Sequence, residues 1–198
     1  MILISKDNVT EPDCLKEFKA DSKNKYSQLP SSCKAEIREL LKFNQKGVCA
    51  YCQQKFRSEV FIEHYISQKA NRNVSLNFEN FLGVCSGKNY LNLEAKTNEH
   101  EAHCSNHRGS TLLHLDPRIL DHINMVSFNN DGTILSLDTQ FNTDLNITLN
   151  LNLPFLKKRR KDAFDKMFAN LVSMNKTLKL NKKELYQKAK NGIEKPFE

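Results

Sequence analysis

The tetrapeptide Cys49-Ala50-Tyr51-Cys52, with Cys85 and Cys104 further along, most constrains how this chain can fold. Two thiols at CxxC spacing can grip one metal ion. A structural zinc takes four ligands and leaves no position open. If Cys49, Cys52, Cys85 and Cys104 share one zinc, three distant stretches of chain must meet at a point. The gaps are uneven, with 32 residues between Cys52 and Cys85 and 18 between Cys85 and Cys104. The second pair is therefore not another tight CxxC, as a generic zinc ribbon would have. The competing readings are a redox CxxC, which needs a thioredoxin-like βαβ context that the sequence does not show, and four unrelated thiols.

The compartment bears on that choice. Met1-Ile2-Leu3-Ile4 begins neither a charged leader nor a span of about 20 apolar residues. The expectation is a cytoplasmic protein with no membrane partner, where thiols stay reduced and metal ligation is the better default. Cys14 and Cys33 lie at no metal spacing and read as ordinary thiols. The 198 residues suffice for one domain, and a charged fraction of 27% suits a globular chain. Trp is absent and Phe numbers twelve, so Phe is expected to carry the aromatic core. The formal net charge of +7 favours polyanionic partners, nucleic acid first among them.

The pattern along the chain predicts an α+β fold. Residues 1–29 read as an N-terminal arm. Ser31 or Ser32 is placed to cap a helix to about Gln45, with Ile37, Leu40 and Leu41 on one face and Gly47 as its stop. Residues 58–65 read as a strand, 76–82 as a short helix or turn, and 86–101 as a polar insertion. Residues 103–109 could begin a second short helix, and 112–117 should run extended. Val126 and Phe128, then Asn130-Asp131-Gly132, then Ile134 and Leu135 predict a β-hairpin. A long helix is expected from about Leu153 and a final one over 182–190. Residues 30–124 would form the core around the zinc. Residues 125–198 would add the hairpin and C-terminal helices to the same compact domain, as a possible partner-docking region.

Glu63-His64 begins eleven residues after Cys52, at the expected end of a strand. A carboxylate suits Mg²⁺ or Mn²⁺. A neutral histidine can take a proton from water. Adjacent strand residues point oppositely, so both serve one site only if the chain bends there. Asn80 could hold the imidazole or the local loop in position. The bland reading makes Glu63-His64 a surface pair and Asn80 a turn residue. His103 and His107 flank Cys104; on a helix they would share a face and could replace a cysteine, and surface histidines are the plainer reading.

Taken together, Cys49-x-x-Cys52, Glu63-His64, Asn80-Phe81-Leu82, Val84-Cys85-Ser86-Gly87 and His103-Cys104-Ser105-Asn106-His107-Arg108-Gly109 resemble the HNH endonuclease superfamily. More narrowly they resemble the PtuB-type HNH proteins of Septu and some retron-associated anti-phage systems. Leu115-Asp116-Pro117, the Asn-Asp-Gly hairpin and Leu149-Asn150-Leu151-Asn152-Leu153 before a basic helix extend the likeness over about residues 33–165. The resemblance implies a ββα-metal core stapled by zinc on Cys49, Cys52, Cys85 and Cys104. It implies Glu63 on a catalytic Mg²⁺ or Mn²⁺, His64 as general base and Asn80 as the middle residue of the motif. It also implies an ATPase partner of the PtuA type and, in retron systems, a reverse transcriptase with its nucleic acid. Directly after the last cysteine, HNH proteins usually place His or Asn, and this subfamily often Asp. Here Ser105 stands there, leaving Asn106, His107 or water to complete the metal's ligands.

Lys88, Arg108, Lys157, Lys158, Arg159 and Arg160 are the candidates for contact with DNA or RNA phosphates. The alternatives for the 157–161 run are a solvated helix face or a partner's acidic patch. The whole chain thus reads as a metal-dependent nuclease. The rival is a non-catalytic four-cysteine zinc module that binds nucleic acid or protein.

Overall fold

A computed structural model describes residues 1–7, 9–57, 59–88, 102–178, 181, 183–185 and 187–188. The architecture is mixed α+β, with two small antiparallel sheets. Helix α1 (Asp13–Lys19) and a 3₁₀ turn at Tyr26–Gln28 precede helix α2 (Ser31–Asn44). Strands β1 (Phe61–His64) and β2 (Phe81–Val84) form the first sheet. Helix α3 (Ser105–Arg108), helix α4 (Leu120–Asn124) and the hairpin β3 (Val126–Phe128) and β4 (Ile134–Ser136) follow. Helix α5 (Thr139–Thr143) runs into a π-helical turn at Asp144–Thr148, and helix α6 spans Pro154–Leu178. No helix among the described residues is long and apolar enough to cross a membrane.

Helix α2 is a product of its apolar spacing. Cys33, Ile37 and Leu41 recur every four residues and are all buried. The expected serine cap is absent: Pro30 occupies the N-cap position without a side-chain cap, and Ser31 is already helical. Pro suits this edge because the amide it lacks would have no partner there. The chain then turns through Lys46 and Gly47, at φ 53° and 74°. Gln45, buried, works as a strand mate: its side-chain amide donates to the Gly83 carbonyl at 2.8 Å and its carbonyl accepts from the Gly83 amide at 2.6 Å. One side chain thereby fixes the CxxC turn against β2.

The β1–β2 register pairs Glu63 with Leu82 and His64 with Phe81. The two-residue pleat sends these pairs to opposite faces. Phe81 and Ile62 pack with Leu15, Leu29, Ile37, Leu41 and Phe78 under α1 and α2. Leu82 and Val84 join the larger core, where the four metal-spaced cysteines lie among Leu113, Leu115, Leu145, Leu149, Leu151 and Leu156. The sheet therefore separates two hydrophobic cores, and its two faces meet different chemistry.

The N-terminal arm packs on the sheet. Lys6, buried, donates to the carbonyls of Phe78 and Phe81. Cys14 and Cys33, expected as separate thiols, are joined by a disulfide. The reason is tertiary: Leu15 on α1 and Ile37 on α2 share one core, and this brings the two Cα atoms to 5.8 Å. Nothing in a spacing of 19 residues announces it.

The segment after the hairpin is held by side-chain amides. Asn152 accepts from the Ile134 amide and donates to the Ile134 carbonyl, as a further strand would. Asp144, buried, accepts from the backbone amides of His114 and Leu115 and so ties down the extended 112–117 stretch. Most of the polar insertion lies outside the described residues, as do residues 182, 186, 189 and 190 of the expected final helix. Of that helix, Asn181 caps the amides of Lys183 and Glu184.

Candidate functional site

The four cysteine sulfurs lie within 4.8 Å of one another. Cys49 to Cys104 and Cys52 to Cys85 are each 3.8 Å apart. A tetrahedron of sulfurs about 2.3 Å from a zinc has edges of about 3.8 Å, so the donor set fits that ion. Their protonation points the same way. The Cys85 thiol is held far below its ordinary value by hydrogen bonds from the thiols of Cys104, Cys49 and Cys52. Burial, with the neighbouring sulfurs, pushes Cys104 up. A lone cluster of buried thiols can carry only part of the negative charge that four thiolates would bring, and a cation relieves that limit. Cys49 and Cys52 flank a turn after α2, Cys85 follows β2, and Cys104 precedes α3 at φ 54°. One ion there would join all three stretches.

Glu63 and His64 do not converge. Glu63 faces the larger core, where its Oε1 accepts from Arg108 Nη1 at 2.6 Å and lies 3.4 Å from the Tyr51 hydroxyl. Burial pushes its carboxyl above the ordinary value, against the pull of the Arg108 guanidinium. His64 lies on the other face. Its ring meets Tyr26 edge-on at 4.4 Å and Phe81 at 5.0 Å. Its Nε2 stands 3.0 Å from the Ser75 carbonyl. A carbonyl only accepts, so Nε2 carries the proton and Nδ1 keeps the lone pair. Burial lowers the His64 pKa below 6.5, which leaves the ring neutral at pH 7.

Asn80 takes the second of its two expected tasks: it holds the loop, not the imidazole. Its Oδ1 accepts from the Ile66 amide at 2.8 Å. Its Nδ2 donates to the carbonyls of Ile66 and Val74 at 2.9 and 3.2 Å. The Tyr65 amide adds a bond to the Asn80 carbonyl. The loop between the strands is thus drawn shut at its base, and Ser75, next to Val74, is set against His64.

Helix α3 distributes its residues differently from the sequence expectation. Arg108, expected at phosphate, is buried with its side chain fully enclosed. Besides Glu63 it reaches the Tyr51 hydroxyl at 2.7 Å and the carbonyls of Thr111, His64 and Tyr65. It is a strut between the CxxC turn, the end of β1 and α3. No spacing rule marks such an arginine; the only hint is a carboxylate and two tyrosines elsewhere that bury best beside a cation. Asn106 is exposed and sits over Gly87, where a Cβ would lie 2.6 Å from the Asn106 Cβ. His107 Nδ1 is 3.1 Å from the Thr148 carbonyl. Among the described residues, the four cysteines are the metal-holding group of His, Cys, Asp and Glu; Glu63 and His107 do not join a second.

The basic run of α6 is equally divided. Lys157 pairs with Asp131 at 2.7 Å, and Lys158 with Asp162 at 2.6 Å. Arg160, mostly buried, donates to the carbonyls of Gly132 and Leu151 at 2.6 Å each, and burial lowers its pKa to about 10. Arg159 lies 5.4 Å from the Phe155 ring and turns toward Cys85 with Lys88. No protein-family model matches the chain, and no curated protein matches it.

Proposed function

We propose that this chain is a metal-dependent nuclease of the HNH type, with a zinc held by Cys49, Cys52, Cys85 and Cys104. The observation that carries the reading is the Asn80 clamp. An asparagine at the start of β2 closes the loop that follows His64 and presents a carbonyl to its ring. The order strand, clamped loop, strand and short helix, β1, β2, α3, supports a ββα-metal arrangement. When bound, the zinc cross-links the scaffold and takes no part in hydrolysis. His64 Nδ1 supplies the base that takes a proton from water, Asn80 fixes the loop around it, and Ser75 fixes the ring. Glu63 would bind the divalent metal after exchanging its bond to Arg108. The resemblance to the Septu-type proteins supports DNA or RNA as substrate and an ATPase as partner in anti-phage defence.

The test is cleavage of plasmid DNA, single-stranded DNA and tRNA with Mg²⁺ or Mn²⁺. His64→Ala is expected to fold, keep zinc and lose cutting by about 10²–10⁴-fold. A base must be neutral to act, and the His64 pKa lies below 6.5. Cleavage should therefore hold to lower pH than an unperturbed histidine allows, with its acid half-point below 6.5. Equal cutting by variant and wild type sinks the assignment. The second reading, a non-catalytic zinc module, is favoured by one observation: Glu63 is spent on Arg108, away from His64. It predicts zinc and nucleic-acid binding with no cleavage under any metal.

A further inference from the structure

Beside the cysteine cluster lies a shallow, partly open cleft with an enclosed volume of about 30 Å³, lined in part by Lys55, Arg57, Glu59, Cys85, Lys88 and Arg159. Four of these carry positive charge. The single carboxylate, Glu59, is occupied by Arg38 at 3.2 Å. Among the described residues none of the four cations meets a carboxylate, whereas Lys157, Lys158 and Lys161 further round α6 each have an aspartate partner. Arg159 is the most constrained. Its Nη2 is buried without a hydrogen-bond partner, although a guanidinium offers five donors. Burial lowers its pKa, and the neighbouring Arg57 adds to the effect. Two neighbouring arginines, one with an idle buried donor, leave hydrogen-bonding capacity that an anion would take up.

A zinc with four thiolates is doubly negative, and cations beside it could serve only to balance that charge. Arg160, buried and near Cys52 and Cys104, and Arg159, near Cys52 and Cys85, between them already supply that balance. Lys55, Arg57 and Lys88 are in excess of it. We infer that this pocket is an oxyanion site that seats a backbone phosphate of nucleic acid, with Arg57 and Arg159 as its fork and Lys55 and Lys88 at its rim. The site rests on the nucleic-acid side of the proposed function and not on catalysis. It differs from the expected phosphate contacts in three ways: Arg108 and Arg160 are excluded because they are buried struts, Lys157 and Lys158 because they are paired with Asp131 and Asp162, and Arg57 and Lys55 are added.

The experiment is fluorescence-anisotropy binding of a labelled oligonucleotide by the zinc-loaded full chain, from 50 to 200 mM salt, in EDTA-free buffer without Mg²⁺. The proteins are wild type, Arg57→Gln/Arg159→Gln and a control, Lys158→Gln/Lys161→Gln, that removes equal charge. The pocket variant should bind about tenfold more weakly, and its log–log salt slope should fall by about one. The control should change affinity less than threefold. Oligonucleotides with a 5′-phosphate and a 5′-hydroxyl should bind equally, and millimolar inorganic phosphate should compete weakly. A strong preference for the 5′-phosphate would overturn the backbone assignment in favour of a terminal phosphate. Equal losses in both double variants would reduce the pocket to general charge. Unchanged binding with lowered zinc content in the pocket variant would show that these cations only balance the thiolates. Wild-type binding without cleavage leaves the pocket standing and removes the nuclease; no wild-type binding removes both.

Discussion

At the scale of single residues, the sequence disclosed side chains whose role is set by local chain geometry. Asn80 was legible in part: the sequence offered it either the imidazole or the local loop, and its three side-chain hydrogen bonds go to the loop. Arg108 was not legible. Its role depends on Tyr51 and Glu63, which are 57 and 45 residues away. A buried guanidinium also sets the stakes of mutation. Arg108→Met leaves Glu63 with its charge unmatched beside the core and should cost about 3–5 kcal/mol. Adding Glu63→Gln should recover a large part of that loss. Urea unfolding of the two single variants and the double variant measures the coupling; additive effects would mean that the pair is independent.

Elements follow the same division. Helix α2, the hairpin and the start of α6 were readable from apolar spacing and from Asp131-Gly132. Strand β2 was partly read as turn, because Phe81-Leu82-Gly83-Val84 is apolar throughout and buried on both faces, so it shows no alternation. Helix α5 and its π-helical turn were missed. Their stability comes from Asp138, Asn142 and Asn146 bonding to backbone and to each other, and such asparagines usually signal loops. The hairpin shows how tightly elements abut. Gly132 sits at φ 85°, and a Cβ on it would stand 2.0 Å from the Lys157 carbonyl. Gly132→Ala should therefore destabilise by at least about 2 kcal/mol through backbone strain and overlap. A thermal melt reads this directly. A melting temperature equal to wild type would mean that the hairpin does not rest on α6.

For the whole molecule, the decisive link is the cysteine cluster. It gathers chain from before β1, after β2 and before α3 into one point within the larger core. Sequence spacing pointed to the four clustered thiols but not to the bond between Cys14 and Cys33, which forms because α1 and α2 share a core. It did not show that β1 and β2 form a partition between two cores, because that depends on which face each helix covers. Zinc contributes folding free energy in proportion to how little of the site exists without it. If the cluster holds zinc, removing it with a chelator should lower the melting temperature by well over about 10 °C, with recovery on adding zinc back. Cys49→Ser should behave like the chelated protein. A chelated protein that melts with the loaded one would show that the apolar core alone holds these stretches together.

The edge-on contact of Tyr26 with His64 also has a spectroscopic use. The chain has no tryptophan, so Tyr26→Trp would introduce a single indole whose emission is its own. Seated against an imidazole, that indole would be dimmed whenever the ring gains a proton and brightened whenever the two part. One fluorophore would then follow both the ionisation of His64 and any departure of the N-terminal arm, in real time and without a substrate.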